Sequence, residues 1–440
     1  MAKVVKFGGS SLADAKQFKK VAKIIEADKH RRYVIPSAPG KRFGADVKVT
    51  DMLYACYDAI LAGRDAEVEF TPVAERFNGI IKDLGTSLNL TSEYERIIEN
   101  FRKKSGRDYA ASRGEYLNGL ILADFIGYEF VDAAKAIHFR PDGTFDADLT
   151  DASLSMILES FRRAVIPGFY GAKPDGVIKT FSRGGSDFTG SIVAKAAKAS
   201  LYENWTDVSG FLVADPRIVK NPEVIKTITY RELRELSYMG AGVLHEDAIF
   251  PVREAKIPIN IKNTNNPEAP GTMIIPEADF SDKDPAKVIT GIAGKKNFSV
   301  IHIEKDETNN EIGFLRRILT LFETEGVSFE HIPTGIDTMS IVVGSDVFEK
   351  HPRLTELIEK VAKPGHMDIE HNLALIAVVG RGMKERRGTA TRIFAALSHA
   401  NINIRIIDQG SSELNVIVGV GEEDFENAVR AIYDMFMLAE

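Results

Sequence analysis

One cysteine, Cys56, and one tryptophan, Trp205, are all that the chain has of either residue in 440 positions. A lone thiol excludes an intramolecular disulfide framework and any cysteine-rich zinc site, and it fits a reducing compartment. Cys56 itself reads as a small buried apolar residue on a helix rather than a nucleophile. No apolar run approaches the roughly 18 residues of a membrane span, and the opening MAKVVKFGGSS lacks the apolar centre of a secretory signal. The cytoplasm is therefore the expected location. An excess of positive charge is also missing: the net charge is −7 with 27% of residues charged. That balance argues for no nucleic-acid partner and no membrane partner. The chain reads as a soluble protein handling small molecules, with room for about three domains at roughly 150 residues each.

Glycine, by contrast, is concentrated in two turns. Ser182-Arg183-Gly184-Gly185-Ser186-Asp187 follows the apolar run Val177, Ile178, Phe181 and opens an alanine-rich helix expected to reach about Ser200. Adjacent glycines let the backbone approach a ligand closely, and the exposed N–H groups of a helix start suit a phosphate or carboxylate. Arg183 adds a planar fork able to grip a carboxylate through two parallel hydrogen bonds. The other turn, Gly8-Gly9-Ser10-Ser11, follows the buried-strand pattern Lys3–Phe7 and leads into a helix. Lys6, two residues before it, either neutralises transferring charge beside a phosphate cradle or is a solvated strand lysine. Trp205-Thr206-Asp207-Val208-Ser209-Gly210 falls where a strand should end, the position at which open α/β sheets bind ligands.

Strand and helix patterns alternate through the first two-thirds of the chain, which favours a mostly parallel sheet covered on both faces. Pro39–Val49 reads as a mobile loop, and Thr50 after it either caps a helix or meets a ligand. From Thr71 to Lys104 an amphipathic helical layer is expected. Glu115, placed by its pattern in the first turn of a helix running Tyr116–Phe125, either complements the helix dipole or holds a substrate ammonium. Arg217, in the turn Asp215-Pro216-Arg217, reaches nucleotide phosphates or caps the turn. His245 is assigned no role.

The last third repeats at a period of about 75 residues. Val300–Ile303 aligns with Leu375–Val378, Gly313 with Gly388, and Ile341–Val343 with Val416–Val418. Each copy reads strand, helix, strand, strand, helix, most of a ferredoxin-like βαββαβ unit. The second copy lacks its last strand, so the copies are expected to share or interlock their sheets. Dimerisation through this region follows from edges that need partners.

The order of Lys6-Phe7-Gly8-Gly9-Ser10-Ser11, Ser182–Asp187 and Trp205–Gly210, followed by a doubled βαββαβ tail, resembles the aspartokinases over essentially the whole chain. The glycine turns are similar to those of the amino-acid kinase superfamily, and the tail looks like a tandem pair of ACT domains. The resemblance implies an amino-acid kinase fold, α/β with a mostly parallel sheet sandwiched by helices, over residues 1–295. ACT domains would then span 296–372 and 373–440. It implies phosphoryl transfer from ATP, with Mg2+, to the side-chain carboxylate of L-aspartate, giving 4-phospho-L-aspartate on the way to lysine, threonine, methionine and diaminopimelate. Carried over by position, the catalytic set would be Lys6, Arg183, Asp187 and Glu115, with Thr50, Glu115 and Arg183 around aspartate. Lys6, Gly8, Gly9, Ser10, Thr206, Asp207, Leu212 and Arg217 would hold the nucleotide, and no protein metal site is assigned. Gly242 stands where many aspartokinases have a lysine, and Leu212 where many have a tyrosine. The tail implies feedback by an end product, L-lysine first and L-threonine second. Gly313, Phe314, Leu315, Ser328, Phe329 and Glu330 would form the effector pocket in a homodimer or dimer of dimers. Glu330 pairs with an effector ammonium or is a solvated strand residue; its counterpart Arg405 would repel one. The rival readings are another carboxylate or phosphate kinase of the superfamily and a catalytically inert amino-acid sensor.

Overall fold

The computed structural model describes residues 1–182, 184–242, 244, 246–277, 288–307, 310–384 and 386–437. They divide into two compact units. The first holds Met1–Phe211, Val224–Arg231 and the segment from Gly242; the second holds Leu212–Glu223, Glu232–Ala241 and the C-terminal segment.

In the first unit, strand β1 (Lys3–Phe7) buries Val4, Val5, Lys6 and Phe7 in succession. Successive strand side chains point to opposite faces, so both faces of the sheet are covered here. Gly9–Leu12 then forms a 3-10 turn, and α1 (Ala15–Glu26) starts only after Asp14, which caps it by accepting from the Gln17 amide at 2.9 Å. The first glycine turn thus leads into a tight turn before its helix. After β2 (Arg31–Pro36) come α2 (Val49–Leu61), α3 (Ala66–Leu84), α4 (Thr91–Arg102) and α5 (Arg107–Ile126). The expected layer over 71–104 is therefore two helices. Gly85, with φ 74°, ends α3 in the left-handed conformation that closes helices.

The chain continues through β3 (Glu129–Phe130), α6 (Ala147–Ser160), β4 (Ala164–Val165), the hairpin β5 (Tyr170–Ala172) and β6 (Ile178–Thr180), and α7 (Gly185–Ala196). It closes with β7 (Leu201–Thr206), β8 (Thr227–Thr229), α9 (Phe250–Glu254), β9 (Ile259–Asn263) and β10 (Thr272–Ile275), while α8 (Tyr230–Tyr238), between β8 and α9 in the chain, belongs to the second unit from Glu232 onward. Eight strands form one sheet in the order β3-β4-β2-β1-β7-β9-β10-β8. Every neighbouring pair is parallel except β9 with β10. This is the mostly parallel sheet that the alternating pattern predicts, and it sets the ends of β1, β2 and β7 side by side.

The tail of the second unit runs β11 (Gly291–Glu304), α10 (Phe314–Glu325), β12 (Thr338–Gly344), α11 (Val347–Lys350), α12 (Leu354–Ala362) and β13 (His366–Val379). It ends with α13 (Thr389–His399), β14 (Ile404–Asp408), β15 (Asn415–Gly421) and α14 (Phe425–Met437). Its five strands form one antiparallel sheet, β12-β11-β13-β15-β14. Within it β11 and β13 pair twice: Phe298–Glu304 against His366–Leu373, and Gly291–Lys295 against Leu375–Val379, with the register shifting after Lys295. Asn297 and Asn372 take positive φ values of 72° and 60° at the bends. Gly291–Lys295 supplies the strand that the second copy lacks in sequence, and β13 serves as last strand of one copy and first of the next. The expected boundaries after 295 and 372 fall inside these two strands.

One expected strand is missing as a regular element. Ser328–Glu330 lies in an irregular segment that meets β12 only through isolated bridges at His331 and Thr334. The first copy still closes a core in which Ile301, Ile303, Phe314, Ile318, Phe322 and Ile341 pack together.

Candidate active site

The two glycine turns meet through one ion pair. Lys6, near the end of β1, places Nζ 2.6 Å from Oδ1 of Asp187 in the first turn of α7. The same oxygen accepts from Asn204 Nδ2 at 2.9 Å, and Asn204 is the β7 residue paired with Lys6 across the parallel ladder. Asp187 therefore aims the lysine as well as starting the helix. The Gly8 amide donates to the Trp205 carbonyl at 3.0 Å, so Gly8 contributes close approach rather than a free N–H. Ser11 Oγ lies 2.7 Å from Thr264 Oγ1, joining this turn to the residue after β9.

The second turn is fixed by packing. Gly184 takes φ 57° as the cap of α7. A Cβ on Gly185 would fall 2.2 Å from Phe169 Cδ2, so only glycine fits. Phe169 has φ 81°, which costs a bulky residue strain. Phe181 and Phe188, on either side of the turn, meet edge-on at 4.8 Å. Arg183 lies outside the described residues.

The loop between β2 and α2, expected to be mobile, is instead clasped. Gly40 donates its amide to the Gly9 carbonyl at 2.8 Å, and a Cβ on Gly40 would come within 2.7 Å of the Gly9 carbonyl carbon. Arg76, 7% exposed, reaches from α3 to Asp46 at 2.8 Å, the Gly40 carbonyl at 2.8 Å and the Ala13 carbonyl at 3.0 Å. Hydrogen bonds from Arg42, outweighing partial desolvation, and from Arg76 hold the Asp46 carboxyl far below the usual carboxylate range.

A third group gathers where the end of β2 meets α2 and α5. Helix α5 begins at Arg107, so Glu115 lies in mid-helix, and the dipole role open in the sequence falls away. Glu115 is 6% exposed. Burial pushes its carboxyl up to about 7 against the opposing pull of the Ala38 amide. Asn118, one turn on, donates Nδ2 to the Ser37 carbonyl at 2.6 Å. Thr50 is the second residue of α2 and half-buried; Lys48, not Thr50, stands at the cap position. Its neighbour Val49 lies against Gly114, beside Glu115, so the start of α2 packs on α5 next to Glu115.

At the end of β7, Thr206 Oγ1 donates to Asp207 Oδ1 at 3.1 Å. Leu212 and Arg217 belong to the second unit, where Arg217 bonds to Asp215 at 2.6 Å; that is the turn-capping role. Gly242 is exposed. In the tail, Gly313 takes φ 84° ahead of α10, Phe314 is buried, and Leu315, Ser328 and Phe329 are exposed. Glu330 accepts a hydrogen bond from Tyr238. Sequence reasoning missed Asn204, Asn118 and Phe169. Only Asn118 had a periodic signal, three residues after Glu115.

Residues 1–263 match the model of the amino acid kinase family, and residues 376–436 match an ACT domain. Aspartokinase 3 of Bacillus subtilis is 39% identical, over 99% of this chain and 98% of its own. The aspartate kinase of Clostridium acetobutylicum has a solved structure that is 52% identical, with a TM-score of 0.93 over 99% of this chain and 100% of that one. Escherichia coli aspartokinase III, solved with aspartate and ADP, shares the fold at 24% identity and TM-score 0.75, covering 99% of each chain. The chain belongs to the amino acid kinase family and, within it, to the aspartokinases. It is an aspartate kinase that carries an ACT regulatory tail.

Proposed function

We propose that this enzyme transfers the γ-phosphate of ATP to the side-chain carboxylate of L-aspartate, forming 4-phospho-L-aspartate as the first step toward lysine, threonine, methionine and diaminopimelate. A carboxylate is already ionised at neutral pH, so the attack needs no general base. Repulsion between two anions is the obstacle, and positioning with positive charge is what lowers it. Lys6, aimed by Asp187, supplies that charge beside Gly8, Gly9 and Ser10. Arg183 grips a carboxylate of aspartate, Thr50 completes the pocket, and Glu115 faces the substrate ammonium. Thr206 and Asp207 serve the nucleotide.

Among the described residues no three His, Cys, Asp or Glu side chains form a metal-holding group. Mg2+ would enter with the nucleotide, since this ion keeps several waters and takes few protein ligands. Bound there, it neutralises phosphate charge. The Lys6–Asp187 contact at 2.6 Å, joining the two glycine turns, is the observation that carries this reading.

In regulation, L-lysine is the favoured inhibitor and L-threonine the second, acting through Gly313, Phe314, Leu315, Ser328, Phe329 and Glu330. Functionally the chain divides into a catalytic part, 1–295, and ACT copies 296–372 and 373–440, and pairs as a homodimer or dimer of dimers through the tail. Among the described residues no helix is long and apolar enough to cross a membrane, and a cytoplasmic location suits the reaction. ADP release with magnesium-ATP, measured against L-aspartate, L-glutamate and N-acetyl-L-glutamate with and without L-lysine and L-threonine, tests the whole assignment. Turnover with aspartate alone, suppressed by lysine, is the expected result. Turnover with another acceptor, or insensitivity to lysine, would overturn the corresponding part.

A further inference from the structure

We infer that Asn118 is a second acceptor for the ammonium group of the substrate, so that Glu115 and Asn118 cradle it together. The inference rests on the placement of aspartate against Glu115 proposed above. The two residues are three apart on α5 and so share one face of the helix. Glu115 is 6% exposed and Asn118 is fully buried. Among the described residues, Glu115 Oε2 and Asn118 Oδ1 are both buried without a hydrogen-bond partner.

The orientation of the asparagine amide is set by its surroundings. Nδ2 donates to the Ser37 carbonyl at 2.6 Å, and the flipped amide would put oxygen against oxygen. Oδ1 is thereby left as an acceptor. Glu115 accepts from the Ala38 amide, which leaves its second oxygen in the same condition. Two buried acceptors one helical turn apart, neither with a donor among the described residues, ask for a group with several N–H bonds and a positive charge. Ser37 and Ala38 follow the C-terminal end of the parallel strand β2, the end at which such sheets receive ligands. Glycine brings the helix close enough: a Cβ on Gly114 would lie 2.8 Å from Ala38 Cβ, and one on Gly119 would lie 2.9 Å from Pro167 Cγ. The helix is thus pressed close at the two glycines that adjoin the residues carrying the free oxygens.

Succinate, which is aspartate without its ammonium group, separates this role from packing. In the full-length enzyme, Asn118→Leu is expected to raise the KM for L-aspartate about 10- to 100-fold, while the inhibition constant of succinate and the KM for ATP change little. Asn118→Ser, too short to reach, should do the same if the leucine variant melts early. An unchanged KM for aspartate would overturn the inference in favour of an internal water. Equal weakening of aspartate and succinate would overturn it in favour of simple packing. Glu115→Gln in the same assay tells the two readings apart. If that variant leaves the KM for aspartate unaltered, the site assignment itself fails. If it raises KM but the Asn118 variants do not, only the present inference fails.

Discussion

Tyr238 donates its hydroxyl hydrogen to the carboxylate of Glu330, the residue proposed to meet the ammonium of an inhibiting lysine. The tyrosine ends α8, three residues before Ala241-Gly242, and Lys295 sits 5.2 Å above its ring. Burial, and then the adjoining carboxylate, push its hydroxyl up to about 12. The tyrosine and an effector ammonium would thus compete for one carboxylate. Tyr238→Phe should lower the lysine concentration giving half-inhibition by about threefold to tenfold, since it removes a partly exposed competitor. Glu330→Ala should abolish lysine inhibition, read as the ratio of inhibited to uninhibited rate. Unchanged lysine sensitivity in the alanine variant would rule out the contact.

Lys6 and Asp187 divide one task, and their variants should differ accordingly. Lys6→Met removes charge that acts on the transferring group and should cut kcat by about 100- to 1000-fold, the cost of losing a preorganised electrostatic contact. Asp187→Asn keeps a polar side chain beside Asn204 but no longer fixes the ammonium. Its kcat should fall by about tenfold or more, with a smaller change in the KM for ATP. Steady-state kinetics with ATP varied at saturating aspartate measure both.

The raised carboxyl of Glu115 makes a signed prediction about pH. Its folded value of about 7 lies above the ordinary 4.5, so the folded state binds the proton more tightly. The stability this confers is complete below about 4.5 and is lost as pH rises through about 7. Relative to Glu115→Gln, the ligand-free enzyme should lose on the order of 3 kcal/mol between those limits. Denaturant unfolding of both proteins at several pH values checks it. Substrate ammonium favours the ionised form, so the KM for aspartate should fall as pH approaches 7 and the glutamine variant should lack that dependence.

Gly40→Ala probes the clasped loop. The added Cβ would lie 2.7 Å from the Gly9 carbonyl carbon and 2.8 Å from the Ser10 amide nitrogen, backbone atoms that cannot step aside cheaply. Overpacking of this kind costs about 1–3 kcal/mol. The nucleotide turn should bear it, appearing as a raised KM for ATP together with a lower melting temperature.

The sequence spoke clearly where chemistry is local. Glycine pairs marked both turns, the alternation of strands and helices marked the sheet, and the repeat with its missing strand announced an interlocked tail. It was silent where the signal is long-range. Asn204 is one of two polar residues between Tyr202 and Trp205, and nothing local ties it to Asp187, which it meets only because α7 packs against the end of β7. Arg76 and Asp46 are thirty positions apart, so a Gly- and Lys-containing stretch that reads as mobile is held from a different helix. Glu115 was placed in a first turn because Ser112-Arg113-Gly114 resembles a break. The helix runs through it because Gly114 lets α5 close on Ala38, a tertiary gain that outweighs glycine's weak helix propensity of about 1 kcal/mol.

The double pairing of β11 with β13 bears on how the tail is made and lost. Gly291–Lys295 completes the copy that lies later in the chain, while His366–Leu373 completes the earlier one. A chain stopped after residue 372 would leave Gly291–Lys295 without its partner strand, and deletion of the first copy together with the whole of β11 would strip Leu375–Val379 in the same way. The two halves should therefore melt in a single transition, and neither is a removable cassette. A sensor built so is inherited whole: mutation can retune either half, but truncation cannot retire one and spare the other.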